Sequence, residues 1–115
     1  MQITKIYSSN DGNSHFVDKE VELSKVSPFG TLSEPIKTEN LIFRKTEGDY
    51  FYDWHTAPKK QFIVMLGDVE IHTSDGEKRI FTCGDVLLVE DTFGKGHLSK
   101  SVNGKPRNSL FISLE

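Results

Sequence analysis

The chain has 115 residues and a mass of 13.0 kDa, enough for one folded domain and too little for two. Lys and Arg total 14 against 17 for Asp and Glu, and this balance leaves no basic excess for a nucleic-acid backbone or an anionic membrane. The single cysteine, Cys83, cannot form an internal disulfide, and the sequence begins with no apolar leader, so we expect a cytoplasmic protein.

Short apolar segments that alternate with polar residues, rather than helical periodicity, follow one another along the chain. In Val69–Thr73 the alternation is clean, and it places His72 with Glu70 on a solvated face. About ten such segments at regular spacing predict an all-β sandwich or barrel. The segments are Met1–Tyr7, Phe16–Leu23, Leu41–Arg44, Tyr50–His55, Gln61–Leu66, Val69–Thr73, Arg79–Thr82, Val86–Glu90, His97–Val102 and Ser109–Leu114.

Turn residues separate these predicted strands. Asp75 with Gly76 and Asn103 with Gly104 both carry the chemistry of tight β-hairpins. The longest irregular stretch, Ser24–Asn40, contains two prolines and a glycine, and it reads as a surface connection rather than a domain linker.

Two of the four histidines stand where a predicted strand meets a turn. His55 ends one strand, and Gln61 opens the next after a Pro-containing turn; His97 opens a later strand after a glycine-rich turn. Strand alternation places Phe51 and Asp53 on the face of His55. Together with the motif spacings described next, this alternation predicts that His55, Gln61 and His97 project into one cavity.

These two regions resemble the paired motifs of the cupins, small jelly-roll barrels of the RmlC-like superfamily. The first motif is matched by Gly48, His55, Gln61 and Gly67, and the second by Gly84, Val86–Val89, Gly94, Gly96 and His97. The resemblance covers about the full length of the chain. The chain further resembles one branch of small single-domain bacterial cupins of unassigned function. The resemblance implies an all-β, single-domain cupin-type jelly-roll β-barrel over residues 1–115.

The resemblance also bears on metal binding. Metal-binding cupins hold a divalent ion with a His-x-His pair, an acid and a later His, but here Ala57 stands at the second histidine's place and Gln61 at the acid's. A neutral amide contributes no charge to hold a cation. The resemblance therefore implies either a weakly bound divalent metal (Fe, Mn, Ni or Zn) held by His55, Gln61 and His97, or no metal.

The function implied is the binding of a small polar molecule, anionic or sugar-like, by the same three side chains. In an enzyme of cupin type (an isomerase, lyase or oxygenase) the two histidines would act as acid, base or ligand and the glutamine would orient the substrate. The alternative is a module that binds or senses a small ligand without converting it. Inward carboxylates separate the two: Asp53, Glu90 or Asp91 beside the histidines would favour catalysis.

Further residues are predicted around this site. Phe51 and Met65 are expected to line the pocket, and Lys95 is expected to hold a carboxylate or phosphate. Tyr52 and Trp54 should lie on the strand face opposite His55, where a monomer of this size would leave them uncovered. We therefore predict a homodimer.

Overall fold

Twelve β-strands and no helix make up the structure, a computed structural model that describes all residues 1–115. The all-β class predicted from the sequence is confirmed. The strands are β1 (Gln2–Ser8), β2 (Ser14–Glu20), β3 (Lys25–Ser27), β4 (Gly30–Leu32), β5 (Thr38–Thr46), β6 (Phe51–His55), β7 (Gln61–Met65), β8 (Val69–Thr73), β9 (Lys78–Phe81), β10 (Val86–Val89), β11 (His97–Ser101) and β12 (Arg107–Leu114). Since it has no helix, the structure contains no helical segment that could span a membrane.

Ten of the strands form two main sheets. The six-stranded sheet has the order β2-β1-β10-β7-β12-β5, and the four-stranded sheet has the order β6-β11-β8-β9. Only β1 and β10 pair in parallel. The remaining strands, β3 and β4, form a small separate hairpin inside the stretch 24–40, for which the sequence predicts an irregular connection.

Two of the predicted turns have different outcomes. The hairpin at Asp75 and Gly76 is confirmed: it joins β8 to β9, and Gly76 has a φ of 93°. Asn103 and Gly104 also have positive φ values, 54° and 65°, as a tight two-residue turn requires. However, they carry the chain from β11 in one sheet to β12 in the other, so the predicted hairpin at this turn is wrong.

The apolar core is built from both sheets. Strand β8 shows the predicted alternation, because Val69, Ile71 and Thr73 are buried while His72 faces outward and its Nε2 lies 2.6 Å from Glu70 Oε2. A strand that buries every second residue in this way packs one face against the opposite sheet. The buried apolar cluster consists of Ile6, Phe16, Ala57, Met65, Val69, Ile71, Phe81, Leu87 and Val89.

Candidate functional site: a cavity between the two sheets

A cavity of about 430 Å³ opens between the inner faces of the two sheets. Its floor is apolar, formed by core side chains such as Met65, Leu87 and Val89. Its polar groups come from the strands around it, and none of the residues that line it is an aspartate or a glutamate. A mostly apolar cavity with a few polar groups is the usual form of a small-molecule site.

The structure places His55, Gln61 and His97 in the lining of this cavity. His55 and His97 are opposite each other in the antiparallel pairing of β6 with β11, and their ring centroids are 4.5 Å apart. Gly96 permits this closeness: it has a φ of 70°, and a Cβ at this position would stand 2.0 Å from the carbonyl oxygen of His55. The glycine before the second histidine is thus required by the backbone contact.

Asp91 lies behind His97 rather than in the cavity lining. It is fully buried, and its Oδ2 is 2.5 Å from Nδ1 of His97. A backbone hydrogen bond joins the loops that follow β6 and β10, because the N–H of Ala57 donates to the carbonyl of Asp91. With Nδ1 bonded to the carboxylate, Nε2 is the ring nitrogen of His97 that remains for a ligand. The other oxygen, Oδ1 of Asp91, is buried without a hydrogen-bond partner.

His55 is half-buried and is held by its own strand. Its Nδ1 lies 2.7 Å from the carbonyl oxygen of Asp53, and because a carbonyl only accepts, Nδ1 carries the hydrogen and Nε2 is left free. Desolvation by burial lowers the pKa of His55, and its electrostatic interactions with His97 and Arg44 act in the same direction, while the Asp53 carbonyl and the Asp91 carboxylate oppose them. His55 therefore favours its neutral form, with a lone pair on Nε2.

A β-bulge in β6 changes which of its side chains face the cavity. His97 pairs with His55 and Ser99 pairs with Tyr52, so three steps along β6 oppose two along β11. The extra residue reverses the alternation. Tyr52 consequently lines the cavity and stacks on His55 with a centroid separation of 3.7 Å, while Phe51 and Asp53 lie outside the lining, which corrects the facing expected from regular alternation.

The remaining predicted residues divide between the cavity and the surface. Met65 is buried in the cavity floor, as expected for its strand face. Lys95 is exposed outside the lining, and its backbone N–H donates to the carbonyl of Gly12, so the turn holds it away from the histidines. Glu90 forms a salt bridge with Lys5, 3.0 Å away, and does not join the site.

Sequence reasoning missed two arginines in the cavity. Arg44 and Arg107 both line it, from β5 and β12 of the six-stranded sheet. Their guanidinium carbons lie 5.5 and 5.1 Å from the centroid of the Tyr50 ring, within the range of cation–π contacts. Strand alternation offered a signal for both: Ile42 lies two residues before Arg44, and Ser109 and Phe111 lie two and four residues after Arg107, all in the cavity lining.

Comparison with known proteins supports the fold and goes no further. No protein-family model matches the chain, and no curated protein matches it. In structure the chain is similar to protein NMB1881 from Neisseria meningitidis, known from a crystal structure, with a TM-score of 0.52 and 21% sequence identity. The match covers 69% of this chain and 81% of that one. The shared feature is the all-β fold.

Proposed function

We propose that the chain is a single-domain cupin of jelly-roll type that binds a small polar molecule in the cavity between its sheets. The paired sequence motifs, the helix-free two-sheet fold and the meeting of both motif histidines support this reading. The observation that carries it is the convergence of His55, Gln61 and His97, from three strands and both sheets, on one cavity. The cytoplasmic location remains a prediction.

The test is a binding screen with a library of small acids, sugars and amides, read by ligand-observed NMR. Ligands of the cavity should lose binding in His97→Gln and Gln61→Ala variants, since both side chains line it. His72→Gln is the matched control, because this histidine is bonded to Glu70 on the outer face of β8. If no compound binds, or if His72→Gln weakens binding as much as His97→Gln does, the proposed function is wrong.

Catalysis is the second candidate, and the contact between Asp91 and His97 favours it. A buried carboxylate on Nδ1 orients the ring and stabilises the imidazolium that forms when Nε2 takes a proton. His55, only 4.5 Å away between ring centroids, offers a second imidazole with its Nε2 free. Following the bound compounds by NMR over hours would separate the candidates: an enzyme converts one of them, and a binding module returns all of them unchanged.

Tight metal binding does not fit the residues present. No three His, Cys, Asp or Glu side chains are arranged so that they could hold one metal ion, and the nearest carboxylate, Asp91, is already bonded to His97. Two imidazoles and an amide would hold a divalent ion weakly. Titration calorimetry with Mn, Ni and Zn should show at most weak binding, strengthened in the double variant Ala57→His with Gln61→Glu. Nanomolar binding by the unmodified protein would contradict this.

A further inference from the structure

The cavity contains two guanidinium groups that no carboxylate neutralises. The chain has three arginines, and only Arg79 forms salt bridges, with Asp18 and Glu77. Arg107 is 9% exposed, and its side chain has a single hydrogen bond, from Nη1 to Ser101 Oγ at 3.2 Å. Arg44 is half-buried and has no hydrogen-bonding partner for its guanidinium. Two cations thus line one cavity without a carboxylate partner.

The two side chains are held in place by aromatic rings rather than by acids. Arg44 pairs with Ser109 across β5 and β12, and Arg107 stands two residues away on the same inner face, so the two are diagonal neighbours. Both guanidinium groups pack on Tyr50, and that of Arg44 also lies 5.1 Å from the ring centroid of Phe111. Stacking of this kind leaves the N–H groups at the edge of each guanidinium plane free to donate.

Such an arrangement is costly unless an anion completes it. A buried charge without a partner destabilises a protein, because it loses its hydration and receives no compensating charge. Burial lowers the pKa of Arg107, yet a guanidinium remains protonated at neutral pH. The lining supplies no acidic side chain of its own. An anion that neutralises the two guanidinium groups would therefore come from outside the chain.

We propose that the cavity binds a small organic carboxylate, gripped by Arg44 and Arg107. This inference rests on the proposed function and specifies its ligand. The guanidinium pair belongs to the six-stranded sheet, while His55 and His97 belong to the four-stranded sheet that faces it. The carboxylate therefore lies against one wall, the apolar part of the ligand covers Met65 and its neighbours on the floor, and a second polar group faces the imidazoles.

Phosphate shares the chemistry that guanidinium recognises, so the probes must distinguish the two anions. Suitable probes are hexanoate and benzoate, their uncharged isosteres hexanamide and benzamide, and phenylphosphonate with inorganic phosphate. Titrations at low ionic strength should give affinities for the carboxylates that are at least about tenfold higher than for the amides, because charge-assisted hydrogen bonds to arginine are the stronger ones. Stronger binding of phenylphosphonate or phosphate than of either carboxylate would overturn the carboxylate assignment.

Substitution of the arginines tests whether these two side chains, rather than the overall charge of the protein, hold the carboxylate. Arg107→Met and Arg44→Met should each weaken carboxylate binding at least about tenfold and leave amide binding unchanged. Lys45→Met is the matched control, since Lys45 neighbours Arg44 on β5, loses the same charge and points to solvent beside Glu47. Because Arg107 is buried without a carboxylate, Arg107→Met should keep or raise the melting temperature of the ligand-free protein. If Arg107 had only a structural role, its substitution would lower the melting temperature.

Three results would overturn the inference. Equal affinity for acids and amides would do so, as would a loss of carboxylate binding in Lys45→Met as large as in Arg107→Met, or the failure of every acid to bind at millimolar concentration. The proposed function has a separate test in the binding of neutral compounds. If they bind, and His97→Gln abolishes that binding while Arg107→Met does not, the cavity is a ligand site and only the assignment of a carboxylate to Arg44 and Arg107 is wrong.

Discussion

The half-buried imidazole of His55 should make the stability of the protein depend on pH. Burial lowers its pKa below the ordinary 6.5, so the folded state binds this proton less tightly than the unfolded chain does. The contribution of His55 to stability is therefore complete above pH 6.5 and is lost as the pH falls through and below that value. The carboxyls of Glu70 and Asp75, whose pKa values are also lowered, lose their contributions only in more acidic solution.

Urea unfolding at about pH 7.5 and about pH 5.5, on either side of the ordinary histidine pKa, measures this effect. From the higher to the lower pH, the free energy of unfolding should fall less in a His55→Gln variant than in the unmodified protein. His15, His72 and His97 are common to both proteins, so the difference isolates His55. An equal fall in both proteins would contradict the assignment.

At the scale of the strands, the site depends on the close backbone contact between Gly96 and His55. An alanine at Gly96 would place its Cβ against the carbonyl of His55 in addition to requiring a positive φ, so β11 and β6 would have to separate. Gly76 is a matched control, because it too has a positive φ but has open space around its Cβ position. We expect Gly76→Ala to cost about 1 kcal/mol and Gly96→Ala more than about 3 kcal/mol. Chemical denaturation checks this, and equal costs would contradict it.

The strands also show how far the sequence predicts this molecule. Alternation and turn residues predict the all-β class and most strand positions, because a strand's apolar period and its turn chemistry are local properties. Together with the two motif spacings, alternation predicts that His55, Gln61 and His97 share a cavity, and all three side chains line it. The local rules fail at Tyr52, because the bulge that turns it inward depends on the pairing of β6 with β11. They also miss Arg107, because its burial depends on the opposite sheet.

At the scale of the whole molecule, the exposed apolar side chains predict self-association. Val26 and Phe29 on the β3–β4 hairpin are 89% and 95% exposed, Phe43 on the edge strand β5 is 77% exposed, and Trp54 is 47% exposed. Exposed apolar surface beside a sheet edge is typical of an interface. Light scattering at micromolar concentration should therefore give a mass of about twice 13.0 kDa, and Phe43→Lys should reduce it. A mass near 13.0 kDa for the unmodified protein would contradict the homodimer.

A small molecule should bind between the two sheets at His55 and His97, and the imidazole NMR signals of the four histidines report on this site separately from the rest of the surface. Two histidines line the cavity, whereas His72 bonds to Glu70 on the outer face and His15 stacks on Tyr7 outside the cavity. Adding the tightest-binding compound should shift the ring signals of His55 and His97 and leave those of His15 and His72 unchanged. Shifts at His15 or His72, with His55 and His97 unmoved, would contradict the account.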